Sequence, residues 1–268
     1  MVSSPQSRAS RWLRRLGAVV ASFLLLLGAL VLIAFHTNLF LSSVDAGSLG
    51  TEAQSEPLLR GLASAHGTPE RWANQGALVM RLRCSFPFFG ARWAFGLDET
   101  DVELTLRFRP DVPGRYHYRL VDGTRVRRGR ADTRGARDGL GLLLDSVRHL
   151  FELPFTAGSI PVRRGLPAGP GGEQRAFFTW GNSTKLSPSH DQLVLWTRAG
   201  HLVRMDTTGR DIAPFTLARV SFEGAVQLGK LRLPRRVTVR NEKLGFVIQR
   251  WELLSIERHA SRQSGFAP

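Results

Sequence analysis

The chain has 268 residues, of which 43% are hydrophobic, and a formal net charge of +15. Arginine supplies nearly all of the positive charge, since lysine occurs only at positions 185, 230 and 243. The single cysteine, Cys84, excludes an internal disulfide and any zinc site built from several cysteines. About 230 residues follow the N-terminal apolar run, enough for one domain with its own core.

An uncharged run, residues 16–35, is the first predicted element. As a helix it would be about 30 Å long and cross a bilayer core. Four arginines precede it and the next basic residue is Arg60, so the positive-inside rule predicts a cytoplasmic N-terminus. A cleaved signal peptide is the alternative, with a small-residue site at Val44-Asp45-Ala46, but signal cores usually span only about 7–15 residues. We therefore predict a cytoplasmic tail over residues 1–15, a single inner-membrane span over 16–35 and a periplasmic domain.

The basic charge of the exported part favours anionic partners such as lipid headgroups or acidic glycans. Nucleic acid is disfavoured, because the predicted topology separates the domain from it and no recognition motif is present. Neither a cofactor nor a metal is predicted.

Residues 36–55, rich in Ser, Gly and Ala, are predicted to form a tether. Leu58, Leu59 and Leu62 then predict a short helix from Glu56 to His66, closed by Gly67. Thr68 is a plausible N-cap of a second helical turn that starts with Pro69, and Trp72 would pack this turn against the domain.

From residue 77 the apolar period changes to two, which is typical of strands with one buried face. The pattern is clearest over 101–109 and continues over 116–120. Asp122-Gly123 predicts a hairpin turn into an arginine-rich strand over 124–130. Apolar positions at three and four predict a helix over 137–151 that Pro154 ends, followed by a loop over 156–172. Strands are predicted over 174–181, 191–198, 201–207, 215–228, 231–241 and 246–257, giving nine or ten antiparallel strands, and residues 259–268 are predicted to be frayed.

The order of these features resembles a known family. Leu59 to Trp72 contains an Ala-His-Gly step and an Arg-Trp pair, Leu153-Pro154-Phe155 ends the internal helix, and Leu233-Pro234-Arg235 marks a late strand. This order is similar to that of the bacterial lipoprotein-carrier superfamily, the half-barrel fold of the LolA, LolB and LppX type, over residues 56–258. The resemblance implies an α+β fold, in which a curved antiparallel sheet with covering helices holds acyl chains or other apolar ligands. A membrane anchor in place of a lipobox cysteine sets this chain apart from a free shuttle.

A half-open barrel can enclose a ligand if its inner face is apolar. The residues predicted to line such a cavity are apolar residues of alternating strands: Leu104, Leu106, Phe108, Tyr116, Tyr118, Phe178, Trp180, Trp196 and Phe222. The alternative is that these side chains simply form the core under the internal helix.

The densest basic patch has two interpretations. Arg125, Arg127, Arg128 and Arg130 are predicted either to contact anionic headgroups or to keep an edge strand solvated and unpaired. Catalysis is not predicted, because Ser189-His190-Asp191 are sequence neighbours that do not point at one another as a triad requires. The histidines also lack metal-ligand spacing. The sequence therefore predicts an anchored envelope protein that binds a lipid or other apolar ligand, with a filled-core interaction or scaffold protein as the alternative.

Overall fold

The computed structural model describes residues 16–29, 48–133, 139–180, 191–208, 217–242 and 244–259. Residues 16–29 form helix α1, which is exposed along its length. Among the described residues, no helix has both the length and the apolar character needed to cross a bilayer. The remaining residues of the predicted span (30–35), the predicted tail 1–15 and positions 36–47 and 260–268 lie outside the described residues.

Thirteen strands follow in the described domain, and all of their pairings are antiparallel. Their bounds are β1 (Leu78–Ser85), β2 (Asp101–Arg109), β3 (Val112–Asp122), β4 (Arg125–Asp132), β5 (Val162–Leu166), β6 (Gln174–Thr179), β7 (Gln192–Arg198), β8 (His201–Thr208), β9 (Leu217–Glu223), β10 (Val226–Leu228), β11 (Leu231–Leu233), β12 (Arg236–Asn241) and β13 (Val247–Arg258). Eleven of them form one sheet in the order β4-β3-β2-β1-β13-β12-β9-β8-β7-β6-β5, while β10 and β11 form a separate hairpin.

Four further helices accompany the sheet: α2 (Glu56–His66), α3 (Pro69–Ala73), α4 (Phe89–Phe95) and α5 (Gly139–Thr156). The predictions of α2 and α3 are confirmed, and the Thr68 hydroxyl caps α3 by accepting a bond from the Arg71 N–H at 3.3 Å. α4 was not predicted. α5 continues past its predicted end and contains Pro154. The proline lies in the last turn, where its missing N–H interrupts little of the helix.

The prediction of nine or ten strands is too low, because the predicted strands over 215–228 and 231–241 each contain two strands, β9 with β10 and β11 with β12. Two further boundaries change because pairing partners, rather than local pattern, decide them. The predicted loop over 156–172 contains β5, which lacks an apolar alternation but pairs with β6. The last part of the predicted tether is also joined to the domain. The Gly50 N–H donates to Gly165 O at 2.9 Å, the Gly165 N–H donates to Thr51 O at 3.0 Å, and Arg163 pairs with Glu52. Residues 48–52 therefore cover the β5 edge of the sheet, whereas β4 forms the other edge.

The sheet wraps around α5. Tyr116 of β3 donates from its hydroxyl to Asp145 Oδ1 at 2.6 Å, and the ring of His149 lies 5.7 Å from that of Trp180, which follows β6. In a flat sheet, the eight strand spacings between β3 and β6 would separate them by about 38 Å. Asp145 and His149, however, are only about 6 Å apart along the helix. Both ends of the sheet must therefore curve towards α5, which is the geometry of a half-barrel.

One hydrophobic cluster fills the space between the sheet and the helices. Its largest fully buried side chains include Trp251, Phe86, Phe108, Phe151 and Phe155. Cys84 lies in the same cluster, and burial raises the pKa of its thiol, as expected for a small core side chain.

His66, the last residue of α2, ties that helix to two strands. Its Nε2 accepts a bond from the Leu202 N–H at 3.1 Å, so its Nδ1 carries the proton and donates to Arg232 O at 2.8 Å. Burial lowers the pKa of His66 below its ordinary value. The bond to Arg232 O partly opposes this shift, and the nearby His201 adds to it. The neutral ring is thus the folded form.

We expect this histidine to make the domain sensitive to acid. Because the folded state lowers the pKa of His66, the unfolded chain takes up the proton first as pH falls below about 6.5, and stability is lost. Protonation also removes the acceptor of the Leu202 N–H, at a cost of about 1 kcal/mol or more. The difference in free energy of unfolding between wild type and His66→Gln should therefore narrow from about pH 8 to about pH 5. A constant difference across this range would contradict the prediction.

Candidate functional site

Six of the nine residues predicted to line a cavity lie in the main core: Leu104, Leu106, Phe108, Tyr116, Phe178 and Phe222. The core also contains the buried side of α5, including Leu144, Val147 and Phe151. The helix-covered face of the sheet is therefore filled by side chains, with α5 in the place that a ligand would take. Their assignment as ligand contacts stays a prediction.

The other three predicted cavity residues are not among the buried residues of the main core. Tyr118 is half-buried, packs against the main core and, with Thr133 and Leu140, lines a partly open pocket of about 150 Å³ beside the start of α5. Trp180 is partly exposed beyond β6. Trp196 lies on the opposite face of the sheet, so its prediction as an inner-face residue is wrong.

Trp196 belongs to a second, smaller cluster on the outer face, with Phe177, Val194 and Leu217. The guanidinium groups of Arg175 and Arg204 lie 4.7 and 4.2 Å from its ring centroid. Its indole N–H donates to the buried Asp206 at 3.0 Å. The error has a physical cause: six consecutive residues of β7 are buried, so alternation could not assign a face to this tryptophan.

A network of ionisable groups lies within the core, where α5 crosses β2 and β3. Arg148 and Glu152, one turn apart on α5, have exposures of only 5% and 8%. Arg148 Nε donates to Glu152 Oε1 at 2.6 Å, and its two terminal nitrogens donate to Val112 O at 2.9 Å and Pro110 O at 2.7 Å. Trp72 of α3 donates to the same Glu152 oxygen at 3.3 Å. The pair is therefore enclosed by three separate elements.

The guanidinium group of Arg148 also faces two of the predicted cavity residues. It lies 5.2 Å from the ring centroid of Phe108 and 5.9 Å from that of Tyr116. Tyr116 and Thr133 both donate to Asp145, at 2.6 and 2.9 Å, so the network continues along α5. A cation consequently lies against the aromatic wall of the trough.

Burial shifts the acid–base behaviour of this network. It raises the pKa of Glu152 to about 7, although Arg148 and the Trp72 indole act in the opposite direction. Burial and the bond to Asp145 raise the pKa of Tyr116 as well. Glu152 can therefore change its charge near neutral pH.

Sequence reasoning missed Arg148 and Glu152. The signal was present, because Arg148 lies among Val147, Leu150 and Phe151 on the side of the predicted helix that periodicity assigned to the core. A charged residue and an opposite charge four positions later, both interleaved with apolar core positions, indicate a buried ion pair.

The structure divides the predicted basic patch between two faces. Arg125 and Arg127 lie on the helix-covered face and have carboxylate neighbours: Arg125 pairs with Asp98 at 3.2 Å, and Arg127 lies 3.8 Å from Asp122. Of the four arginines, only Arg128 and Arg130 point to the outer face. Their partners on β3 are Arg119 and His117, which alternate with the buried residues of that strand.

The outer face adds arginines from other strands to these two. Register places Arg128 beside Arg119, and Arg130 beside His117 and Arg107. Burial, then the charges of Arg107 and Arg130, lower the pKa of His117, as expected in a positive field. The basic outer surface is therefore built across three strands, and sequence spacing alone did not reveal it.

Two kinds of site considered from the sequence, a metal site and a catalytic triad, concern different parts of the chain. No group of three His, Cys, Asp or Glu side chains there lies close enough to hold a metal. Ser189 and His190, considered for a triad, lie outside the described residues.

Comparison with known proteins yields likenesses of fold. No family model matches the chain, and no curated protein matches it. A LolA superfamily protein from Nitrosomonas europaea is similar in structure, with 9% identity over 78% of this chain and 94% of that chain and a TM-score of 0.41. A domain named for outer membrane lipoprotein sorting, from Vibrio parahaemolyticus, has 12% identity over 76% and 92% and a TM-score of 0.35. A DUF1329 family protein from Desulfovibrio piger has 12% identity over 79% and 95% and a TM-score of 0.37.

The first of these structures is described as a member of the superfamily that the sequence resembles. Identities of 9–12% leave the ligand to be inferred from the residues of this chain.

Proposed function

We propose that this chain is an envelope protein anchored in the inner membrane by residues 16–35, with its domain on the periplasmic side. Its half-barrel binds an amphiphile that has an apolar chain and an acidic head group, such as a fatty acid or an anionic lipid. The observation that carries this proposal is the position of Arg148, buried against Phe108 and Tyr116 of the trough. The proposed role is binding rather than catalysis.

Arg148 is suited to an acidic head group because its present carboxylate partner can become neutral. Burial raises the pKa of Glu152 to about 7. A protonated Glu152 would leave the cation with the Val112 and Pro110 carbonyls, and a ligand carboxylate or phosphate would then be the better partner. An arginine fork matches the geometry of such a group.

Ligand entry requires α5 to move, because this helix fills the trough. Its hydrogen bonds to Pro110 of the β2–β3 turn and Val112 of β3 come from the same Arg148 that would meet the ligand, and its contact with Trp72 of α3 comes from Glu152. The head group would therefore compete for contacts that hold α5, and the apolar chain would replace side chains of α5 against the sheet.

The test uses a fatty acid that carries a photoreactive diazirine on its chain. The full chain is reconstituted in lipid nanodiscs, irradiated with this probe and digested, and the labelled peptides are identified by mass spectrometry. We expect labels on inner-face residues of β2 and β3, including Leu106 and Phe108. The same probe with an alcohol in place of the carboxyl group should label at least tenfold less, since charged hydrogen bonds contribute about 1.5–3 kcal/mol.

Arg148→Met should abolish the preference for the acid over the alcohol. The matched control is Arg109→Met on the same sheet end, which removes an exposed arginine paired with Asp111 and should leave the preference unchanged. Labelling confined to the outer face or to α1, or no labelling of the domain, would overturn the proposal.

A second function is favoured by the packing itself. The six core residues named above are fully packed in this structure, as expected for an interaction or scaffold protein whose core needs no ligand. In that case lipid extraction of the purified chain would yield nothing bound in stoichiometric amount, and crosslinking in cells would give one fixed protein partner.

A further inference from the structure

One end of the half-barrel carries an unusual concentration of exposed apolar side chains. We call it the α4 end. The register of the strands brings to this end α4, the β3–β4 turn, the β12–β13 turn, the end of β6 and the start of β5. The β2–β3 turn and the β10–β11 hairpin lie at the opposite end.

Three large side chains form the aromatic rim of this end: Phe89, Trp93 and Leu244. Phe89 and Trp93 lie one turn apart on α4 and are 70% and 84% exposed. Leu244, in the β12–β13 turn, is 76% exposed. The two elements are joined beneath the rim, where the rings of Phe88 and Phe246 are 4.9 Å apart.

The distribution is not that of scattered surface residues. In the described domain, beyond α1, six large apolar side chains are exposed, and five of them lie at the α4 end: Phe89, Trp93, Val126, Trp180 and Leu244. Only Leu254 lies away from it. Single exposed apolar residues are normal on a protein surface, but a group gathered at one end indicates a surface that contacts something apolar.

The rim is also rigidly supported. The other side of α4 is buried through Ala91 and Phe95, and the Phe95 ring packs on that of Phe86 at 5.7 Å. Both rim aromatics are therefore held outwards by a helix whose opposite side belongs to the core.

We propose that the aromatic rim inserts into the interfacial region of a lipid bilayer. Tryptophan and phenylalanine at the tip of a domain suit that region, where an aromatic body is buried among acyl chains and the indole N–H stays at the headgroups. A bilayer is the expected partner of the rim because the apolar run that precedes the domain would hold the domain next to a membrane. This proposal rests on the proposed anchoring of residues 16–35 in the membrane, but it needs no ligand in the trough, so failure of the proposed ligand binding would leave it unaffected.

The length of the connecting chain permits this contact. Twelve residues separate the predicted span from Ser48 and can extend to about 40 Å. The connecting chain joins the sheet at Gly50, which is bonded to Gly165 of β5. Gly165 lies three residues, or about 10 Å along the strand, from Val162 at the α4 end. The tether can therefore bring this end of the domain to the membrane surface.

The charges around the rim predict what kind of lipid is needed. Arg125 and Arg127 lie near it but have Asp98 and Asp122 as neighbours, and Glu99 lies in the same loop region. With mixed charges, insertion depends on apolar contact. It should occur on zwitterionic lipid and be little affected by salt, whereas binding through the basic outer surface would require anionic lipid and weaken with salt.

The test measures the depth of a nitroxide in the membrane. The label is attached to Ala94→Cys, an exposed position beside Trp93 that leaves the rim intact, in the full chain reconstituted in phosphatidylcholine nanodiscs. Lys230→Cys, exposed in the β10–β11 turn at the opposite end, is the control. Native Cys84 is buried and should not react. Access of oxygen and of a water-soluble nickel chelate to each label is then compared by electron paramagnetic resonance.

We expect the label at position 94 to be accessible to oxygen and protected from nickel, and the label at 230 to be accessible to nickel. Adding Phe89→Ser should reduce the membrane-inserted population about tenfold, since burying such a side chain contributes about 1.5–3 kcal/mol, whereas Phe89→Leu should retain it. Free access of nickel at position 94 would overturn the proposal. Protection from both reagents would do so too, because it indicates a protein partner or a second copy on the rim.

Discussion

Replacing Glu152 by leucine is expected to lower the free energy of unfolding by about 3–5 kcal/mol, because Arg148 would keep a buried charge without a carboxylate partner. Arg148 would retain only the carbonyls of Val112 and Pro110, at 2.9 and 2.7 Å. The measurement is urea unfolding of the detergent-solubilised chain, followed by tryptophan fluorescence. The same solution conditions serve for every variant.

The double variant Arg148→Met/Glu152→Leu should recover most of this loss, since apolar residues of similar size can replace a buried ion pair at little cost. Asp111→Leu is the matched control. It breaks the exposed Arg109–Asp111 pair, 2.6 Å apart, and should cost less than about 1 kcal/mol. A Glu152→Leu variant as stable as this control would show that the pair contributes nothing to the position of α5.

Replacing Trp72 by alanine is the second large effect, at about 3–5 kcal/mol. Its ring stacks on Phe155 with centroids 4.7 Å apart and an interplanar angle of 10°, and it lies 6.3 Å from Phe108. The side chain thereby fixes the short α3 against α5 and the sheet. Loss of the ring leaves a large cavity at this junction, and the expected result is a lower urea midpoint.

Trp72→Phe separates packing from hydrogen bonding in this side chain. It keeps a stacked ring but removes the indole donor to Glu152, and should cost about 1–2 kcal/mol. Equal losses in the alanine and phenylalanine variants would assign the effect to the hydrogen bond and contradict a packing role.

Local signals predicted most of the elements. The alternation of Val102, Leu104 and Leu106 predicted β2, Asp122-Gly123 predicted the turn before β4, and Thr68-Pro69 predicted the start of α3. Each of these predictions depends on the backbone preferences or the apolar period of a few neighbouring residues, and both can be read from the sequence alone. β5 was missed because its partners, rather than its own pattern, make it a strand.

The candidate site was only partly predictable for the same reason. Every predicted cavity residue except Trp196 lies on the helix-covered face, as alternation implied. The ion pair of Arg148 and Glu152 went unnoticed beside the apolar positions of α5. Phe89 and Trp93 have the same spacing as Ala91 and Phe95, so periodicity could not tell the exposed side of α4 from the buried one.

The amino-acid sequence by itself determined the apolar N-terminal run, the type and order of most elements and the apolar alternation of the sheet, because these follow from residues close together in the chain. Only the tertiary structure decided that the sheet curves around α5, that Trp196 faces outwards, that Arg125 and Arg127 meet carboxylates and that the rim of α4 stays exposed. Each of these four features depends on which distant segment of the chain lies opposite a given side chain, and the spacing of neighbouring residues does not determine that.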